Sequence, residues 1–107
     1  AVARHRETER AVGQAVAAAY AELEVARAAA DLARTAVLVA TEALRVQDAR
    51  YRAGETTILD LLEAQGALAR AEAEQVQSRQ RARLALAELE SFIGERVHAR
   101  SGDRNHE

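Results

Sequence analysis

Apolar residues recur at alternating steps of four and three along the first half of the chain. This spacing is the heptad pattern of coiled coils, in which one stripe of a helix faces a partner helix. Gln47 is the one polar member of the stripe. The pattern predicts a first helix over residues 8–53. Its seam consists of Val12, Val16, Ala19, Leu23, Ala26, Ala30, Ala33, Val37, Ala40, Leu44, Gln47 and Tyr51.

A second heptad stripe follows after a short interruption. It predicts a helix over residues 57–93, with polar Gln75 and Ser78 in its middle. We expect Gly94 to end this helix and residues 94–107 to form a loose polar tail, with the first residues of the chain equally loose. The second seam consists of Leu61, Ala64, Leu68, Ala71, Gln75, Ser78, Ala82, Ala85, Leu89 and Phe92.

The interruption between the stripes has the residues of a helix end followed by a helix start. Gly54 can adopt the left-handed conformation that closes the last turn of a helix. Thr57 can cap the next helix, with Asp60 three residues on as a capping-box acid. We therefore predict a tip turn at residues 54–56. The predicted fold class is all-α, a long antiparallel two-helix coiled-coil hairpin, and residues 1–107 form one domain.

A further set of apolar residues lies beside each seam. A lone two-helix hairpin cannot cover these residues together with its seams. We therefore expect the chain to self-associate into a helical bundle, as a dimer or a higher oligomer. The set comprises Val25, Leu32, Val39, Leu62, Ala69 and Val76.

Composition supports a slender helical structure and excludes several functions. Apolar residues make up 49% of the chain but many are alanine, aromatic residues only 3%, and proline is absent. A compact core would therefore be thin, whereas helices packed through small side chains fit. The net charge of −2, with interleaved acids and bases, gives no basis for nucleic-acid binding. Without cysteine there is no disulfide or thiolate site.

No apolar run approaches the roughly 20 residues of a transmembrane helix, so we do not expect the chain itself to span a membrane. The chain begins with alanine and has no signal-peptide pattern, and we take it to be a piece of a longer protein. His5, His98 and His106 lie in the predicted loose ends and are not spaced as metal ligands. With no activated serine and no phosphate loop, we expect neither an enzyme nor a cofactor.

The turn segment contains Tyr51, Gly54, Thr56-Thr57, Leu59-Asp60, Leu62-Glu63 and Ala64-Gln65. It resembles the segment that marks a helix reversal in the TolC-like outer-membrane efflux proteins. In that family the segment has the form Tyr-x-x-Gly, a few polar residues, an apolar pair with Asp, and Leu-x-Ala-Gln. The resemblance covers residues 11–94, and by position the chain is similar to the hairpin of the family's second repeat.

The resemblance implies a fold, a location and partners. Such proteins are trimers of the outer membrane with a long periplasmic tunnel of α-helices, so this segment would lie in the periplasm. The hairpin tip opens and closes the tunnel and meets the periplasmic adaptor of a tripartite pump. Carried over to this chain, the adaptor-docking tip would be Ala53, Gly54, Glu55 and Thr56. The gating and constriction residues would be Tyr51, Asp60 and Glu63.

Each of these positions also has a purely structural explanation. Gly54 can be a helix C-cap and no more, and acids at Asp60 and Glu63 are favourable near a helix N-terminus in any protein. Tyr51 can simply pack at the end of the first seam. Ala53 stands where the family often has a larger apolar residue, and Glu55 adds a charge to the loop.

Two other functions fit a helical hairpin. One is a stand-alone interaction module that dimerises into a four-helix bundle and has no transport role. The other is the hairpin of a periplasmic adaptor, whose tip usually has an Arg-x-x-x-Leu signature with a serine. Here Tyr51-Arg-Ala-Gly54 takes that place, which favours the duct protein.

Overall fold

Two helices account for nearly all of the described chain. The computed structural model describes residues 2–105, and the side chains of residues 6–95 and of Val97. Helix α1 runs Val2–Arg52 over 51 residues and helix α2 runs Ile58–Asn105 over 48 residues. The described residues contain no strand. The predicted fold class, an all-α antiparallel two-helix hairpin, is therefore confirmed.

The helix ends differ from the predicted ones. Helix α1 begins at Val2 rather than near residue 8, and α2 continues through Gly94 to Asn105 rather than ending at Ile93. Gly94 has no positive φ, and no proline follows it. A helical glycine costs only about 1 kcal/mol relative to alanine, which does not by itself end a helix. Residues 106 and 107 of the predicted tail lie outside the described residues.

The chain divides into two compact units. Within the described residues, unit 1 comprises residues 2–26 of α1 and residues 81–105 of α2, and unit 2 comprises residues 27–80, which include the turn. Unit 1 contains a cluster of buried residues, with Val16 and Ala26 packed against it. These buried residues are Ala19, Leu23, Ala85 and Leu89.

The two predicted seams are confirmed by burial. Every seam position of α1 from Val16 to Gln47 is buried or half-buried, as is every seam position of α2 from Leu61 to Leu89. Val12, Tyr51 and Phe92, at the ends of the seams, are more exposed. The Oε1 atom of Gln47 is buried and has no hydrogen-bond partner among the described residues. The alternation of four and three therefore identified the inward faces of both helices.

The second apolar set is exposed to solvent, as predicted. Leu32 is 72% exposed and Val39 64%, while Leu62 and Val76 are each more than half exposed. Within the described residues, neither helix combines the length and hydropathy needed to cross a membrane.

Candidate functional site

The end of α1 is closed by a pair of backbone hydrogen bonds centred on Gly54. Gly54 has a φ of 74°, the left-handed conformation predicted for it. The Glu55 N–H donates to the Arg50 carbonyl at 2.8 Å, and the Gly54 N–H donates to the Tyr51 carbonyl at 3.0 Å. This pair of bonds defines a Schellman motif, which satisfies carbonyls that a helix end leaves unpaired. The turn is therefore an ordered structure.

The start of α2 is closed by Thr57. The Asp60 N–H donates to the Thr57 hydroxyl oxygen at 3.3 Å, which is the N-cap bond predicted from the sequence. The Leu61 N–H donates to the Thr57 carbonyl at 3.2 Å and completes the first helical turn. Only residues 53–57 separate the two helices, and both helix ends are capped within them.

The Asp60 carboxylate is bound into the turn. It accepts a hydrogen bond from the Thr56 hydroxyl at 2.8 Å, and the Thr57 hydroxyl and backbone N–H also interact with it. The bond from Thr56 is the largest cause of a lowered pKa for the Asp60 carboxyl. Loss of solvation opposes this and raises the pKa, whereas Thr57 and the positive charge of Arg50 lower it further. Asp60 is thus held ionised by groups of its own loop.

Glu63 lies one turn further along α2 and is exposed. Among the described residues it has no hydrogen bond or ion pair. The structure therefore distinguishes the two acids that the sequence had grouped together. Asp60 is engaged within the turn, whereas the Glu63 carboxylate is available to other groups.

Tyr51 lies at the last seam position of α1 and is 41% exposed. Its carbonyl accepts the Gly54 N–H, but its hydroxyl has no hydrogen-bond partner among the described residues. Its ring therefore ends the seam, and its phenolic group is free to bond to another molecule.

The tip also carries an apolar pair to which the sequence analysis assigned no role at the tip surface. Ile58 and Leu59 are the first two residues of α2, and Leu59 is 73% exposed. The signal was present in the sequence, because both residues follow the Thr57 cap and lie outside the predicted seam. Together with exposed Ala53, Gly54 and Glu55 and half-buried Thr56, they form a mixed apolar and polar tip surface.

A shallow open groove lies beside the hairpin between the two helices of unit 2. Its volume is about 290 Å³, and its lining consists of Thr41, Leu44, Arg45, Asp48 and Gln65. Two of the lining residues, Arg45 and Asp48, each form an ion pair within α1. Arg45 pairs with Glu42 at 2.6 Å and Arg52 with Asp48 at 3.2 Å. Hydrogen bonding to Arg45, reinforced by its charge, lowers the pKa of the Glu42 carboxyl.

Among the side chains that the structure describes, no three His, Cys, Asp or Glu residues come together as metal ligands do. The site is therefore a surface of backbone, hydroxyl, carboxylate and apolar groups.

Comparison with known families identifies one match. Residues 1–95 match the family described as Outer membrane efflux protein. That range contains both seams and the whole turn. No curated protein and no solved structure matches the chain.

Proposed function

Because the chain belongs to the outer membrane efflux protein family, we propose that it forms a periplasmic hairpin of an export duct, whose tip docks a pump's adaptor and gates the tunnel. The family match supports the duct component itself. The proposed docking and gating roles of the tip are supported by the capped turn. An ordered tip presents a fixed surface to a partner and does not lose loop entropy on binding.

The docking surface that we propose consists of Ala53, Gly54, Glu55 and Thr56. The Schellman bonds fix the backbone there, and open space surrounds Gly54, since a Cβ atom on it would meet nothing within 4 Å. A helix tip of the adaptor can approach this backbone closely. The neighbouring Ile58 and Leu59 add exposed apolar area to the same tip.

The gating role that we propose falls on Tyr51, Glu63 and Asp60, with different tasks. In a three-fold assembly, like carboxylates on neighbouring tips would approach each other, which favours cations and raises carboxyl pKa values. Glu63 is suited to this ring because its carboxylate is unengaged. Asp60 contributes charge but chiefly holds the loop through Thr56. The free Tyr51 hydroxyl is suited to a hydrogen bond with a neighbouring helix.

Docking is tested in the full-length duct by replacing Gly54 with valine. Valine at a positive φ distorts the tip backbone and adds bulk, so we expect the loss of drug efflux with assembly intact. Gly13→Val is the matched control, because Gly13 is helical and equally open. Unchanged drug sensitivity of the Gly54→Val strain would remove the docking role.

Gating is tested by cation block of the closed pore in single-channel recordings. Glu63→Gln should weaken the block strongly, whereas Asp60→Asn should weaken it less. An unchanged block in Glu63→Gln would refute the assignment of Glu63. An equal loss in both variants would mean that the engagement of Asp60 within the loop has no consequence for the pore.

A second function, a self-associating helical module without transport, is favoured by the exposed apolar set alone. The duct component and the stand-alone module are distinguished by the other segments that the complete gene encodes. A second hairpin of the same kind supports the duct, and its absence from the complete gene supports the module. The adaptor hairpin is the weaker alternative, because the family match is to the efflux proteins.

A further inference from the structure

One hydrogen bond joins the proposed docking surface to the proposed gating residues. The Thr56 hydroxyl donates to Oδ2 of Asp60 at 2.8 Å. Thr56 belongs to the docking surface and Asp60 to the gating residues. Among the described side chains, no other hydrogen bond links a residue of one group to a residue of the other. A change at one end of this bond therefore affects the other end directly.

The backbone on both sides holds Thr56 in place. The Glu55 N–H before it takes part in the Schellman motif that closes α1, and Thr57 after it caps α2. Within the link of residues 53–57, Thr56 is half-buried whereas the other four residues are exposed. Its β-branched side chain also has a restricted χ1 angle. The turn therefore holds the hydroxyl in position to bond Asp60 before any partner binds.

The other contacts of the Asp60 carboxylate do not involve the docking surface. Thr57 interacts with it through its hydroxyl and its backbone N–H, and Arg50 acts on it through its positive charge. The Thr56 bond is the largest of the influences that lower the pKa of this carboxyl. A carboxylate has acceptor sites for several donors, so it keeps the Thr57 contacts when the Thr56 bond is lost. Losing this bond therefore frees the carboxylate in part and leaves the N-cap of α2 intact.

The chemistry of a hydroxyl makes two uses of Thr56 exclusive. A threonine side chain has one O–H to donate. If a hydrogen-bond acceptor on a docked partner takes this donor, the Asp60 carboxylate loses it. Linkage makes the effect reciprocal, so a change that weakens the bond to Asp60 also strengthens the docking contact.

We propose that the Thr56 hydroxyl couples adaptor docking to the charge at the constriction. In the undocked tip it donates to Asp60 and keeps that carboxylate in the loop, which leaves Glu63 as the principal carboxylate of the ring. A docked adaptor that offers an acceptor to Thr56 releases Asp60 to the same ring. In a three-fold assembly this adds like charges, whose repulsion favours separated tips. The inference rests on the proposed function, because it presupposes both the docking surface and the ring.

The bond itself is tested in this chain by NMR titration of the Asp60 carboxyl. Thr56→Val removes the hydroxyl and keeps the branched shape, so the pKa of Asp60 should rise towards its ordinary value. Thr56→Ser retains the hydroxyl and should keep the pKa low. Thr41→Val is the matched control, because the Thr41 hydroxyl bonds only within α1. An unchanged Asp60 pKa in Thr56→Val would overturn the coupling.

The consequence for gating is tested in the full-length duct, without adaptor, by cation block in single-channel recordings. In the Thr56→Val background, Asp60→Asn should weaken the block about as strongly as Glu63→Gln does in the wild type. Its effect should differ between the two backgrounds by at least about twofold, as expected for side chains in contact. Equal effects would overturn the coupling and leave the ring of Glu63 standing. An unchanged block in Glu63→Gln would overturn the ring and the coupling together.

The consequence for docking is tested by the affinity of the purified duct for its adaptor. A neutral amide accepts a weaker hydrogen bond than a carboxylate, so Asp60→Asn frees the Thr56 hydroxyl and should tighten docking by about twofold or more. In the Thr56→Val background the same change should leave the affinity unaltered. Weaker docking in both backgrounds would overturn the coupling, because it indicates that Asp60 only supports the loop. Unchanged affinity in Gly54→Val would instead remove the docking surface, and the coupling with it.

Discussion

The buried cluster of unit 1 and the turn of unit 2 are held together by different forces. Ala19, Leu23, Ala85 and Leu89 are buried against one another and contribute through apolar area removed from water. The turn has little buried apolar area and is defined by backbone bonds at Gly54 and caps at Thr57. Side-chain size therefore matters most in unit 1, and backbone conformation and hydrogen-bonding groups matter most at the turn. The stabilities of the wild type and its variants are compared at one protein concentration, because any self-association would add to the apparent stability.

The largest effect that separates the two regions should come from Leu23→Ala. Leu23 is only 2% exposed, and its truncation removes apolar contacts and leaves a void. We expect a loss of about 2–3 kcal/mol in the free energy of unfolding, measured by chemical denaturation. Leu38→Ala, at an exposed position, should change it by less than about 0.5 kcal/mol. Equal losses would mean that the cluster contributes no more than the surface does.

Gly54→Ala should show that the turn depends on backbone conformation. Open space surrounds the site, so the added methyl group meets no obstacle and the left-handed φ alone opposes it. We expect a loss of about 1–2 kcal/mol in unfolding free energy. The same change at helical Gly13 should instead stabilise by about 0.5–1 kcal/mol. A neutral Gly54→Ala variant would contradict the left-handed turn.

Thr57→Ala removes a hydrogen-bonding group while leaving the backbone conformation accessible. We expect a loss of about 1 kcal/mol, since the Asp60 N–H loses its cap, and thermal or chemical unfolding measures it. Thr41→Ala is the control. Its hydroxyl donates only to the Val37 carbonyl of the same helix, and alanine is the better helix former. A loss at Thr41 as large as that at Thr57 would argue against capping as the cause.

The smallest effect should be a pH dependence at the turn. The pKa of Asp60 is lowered in the folded chain, so its ionised form favours folding above the unfolded pKa, and this contribution is lost as the pH falls through the folded pKa. The difference in stability between the wild type and Asp60→Asn should therefore shrink as neutral buffer is made acidic.

The pKa of the Glu42 carboxyl is also lowered, in this case by Arg45. Glu42→Gln therefore serves as the reference for a carboxylate outside the turn. A stability difference between the wild type and Asp60→Asn that does not vary with pH would show that the carboxylate's charge plays no part in the turn.

Much of this architecture could be predicted from the sequence because it depends on periodicity and on two residues with narrow preferences. The alternation of four- and three-residue steps between apolar positions determines which face of each helix turns inward, independently of the individual side-chain contacts. Gly54 and Thr57 are the residue types that a left-handed C-cap position and an N-cap require. The sequence could not predict the end of α2, because Gly94 only lowers helix propensity and no proline follows it.

The engagement of Asp60 by Thr56 was not predicted either. It depends on side-chain rotamers in a loop of five residues, on which heptad periodicity has no bearing.

The short link between α1 and α2 has a consequence for how such a hairpin can change in length. One residue inserted within α2, between Ile58 and Leu61, would turn the rest of that helix by about 100° and move Leu61 and Leu68 off the seam. Seven residues inserted into each helix would instead preserve both seams. An insertion of this kind extends the hairpin by about 10 Å and leaves the capped turn unchanged.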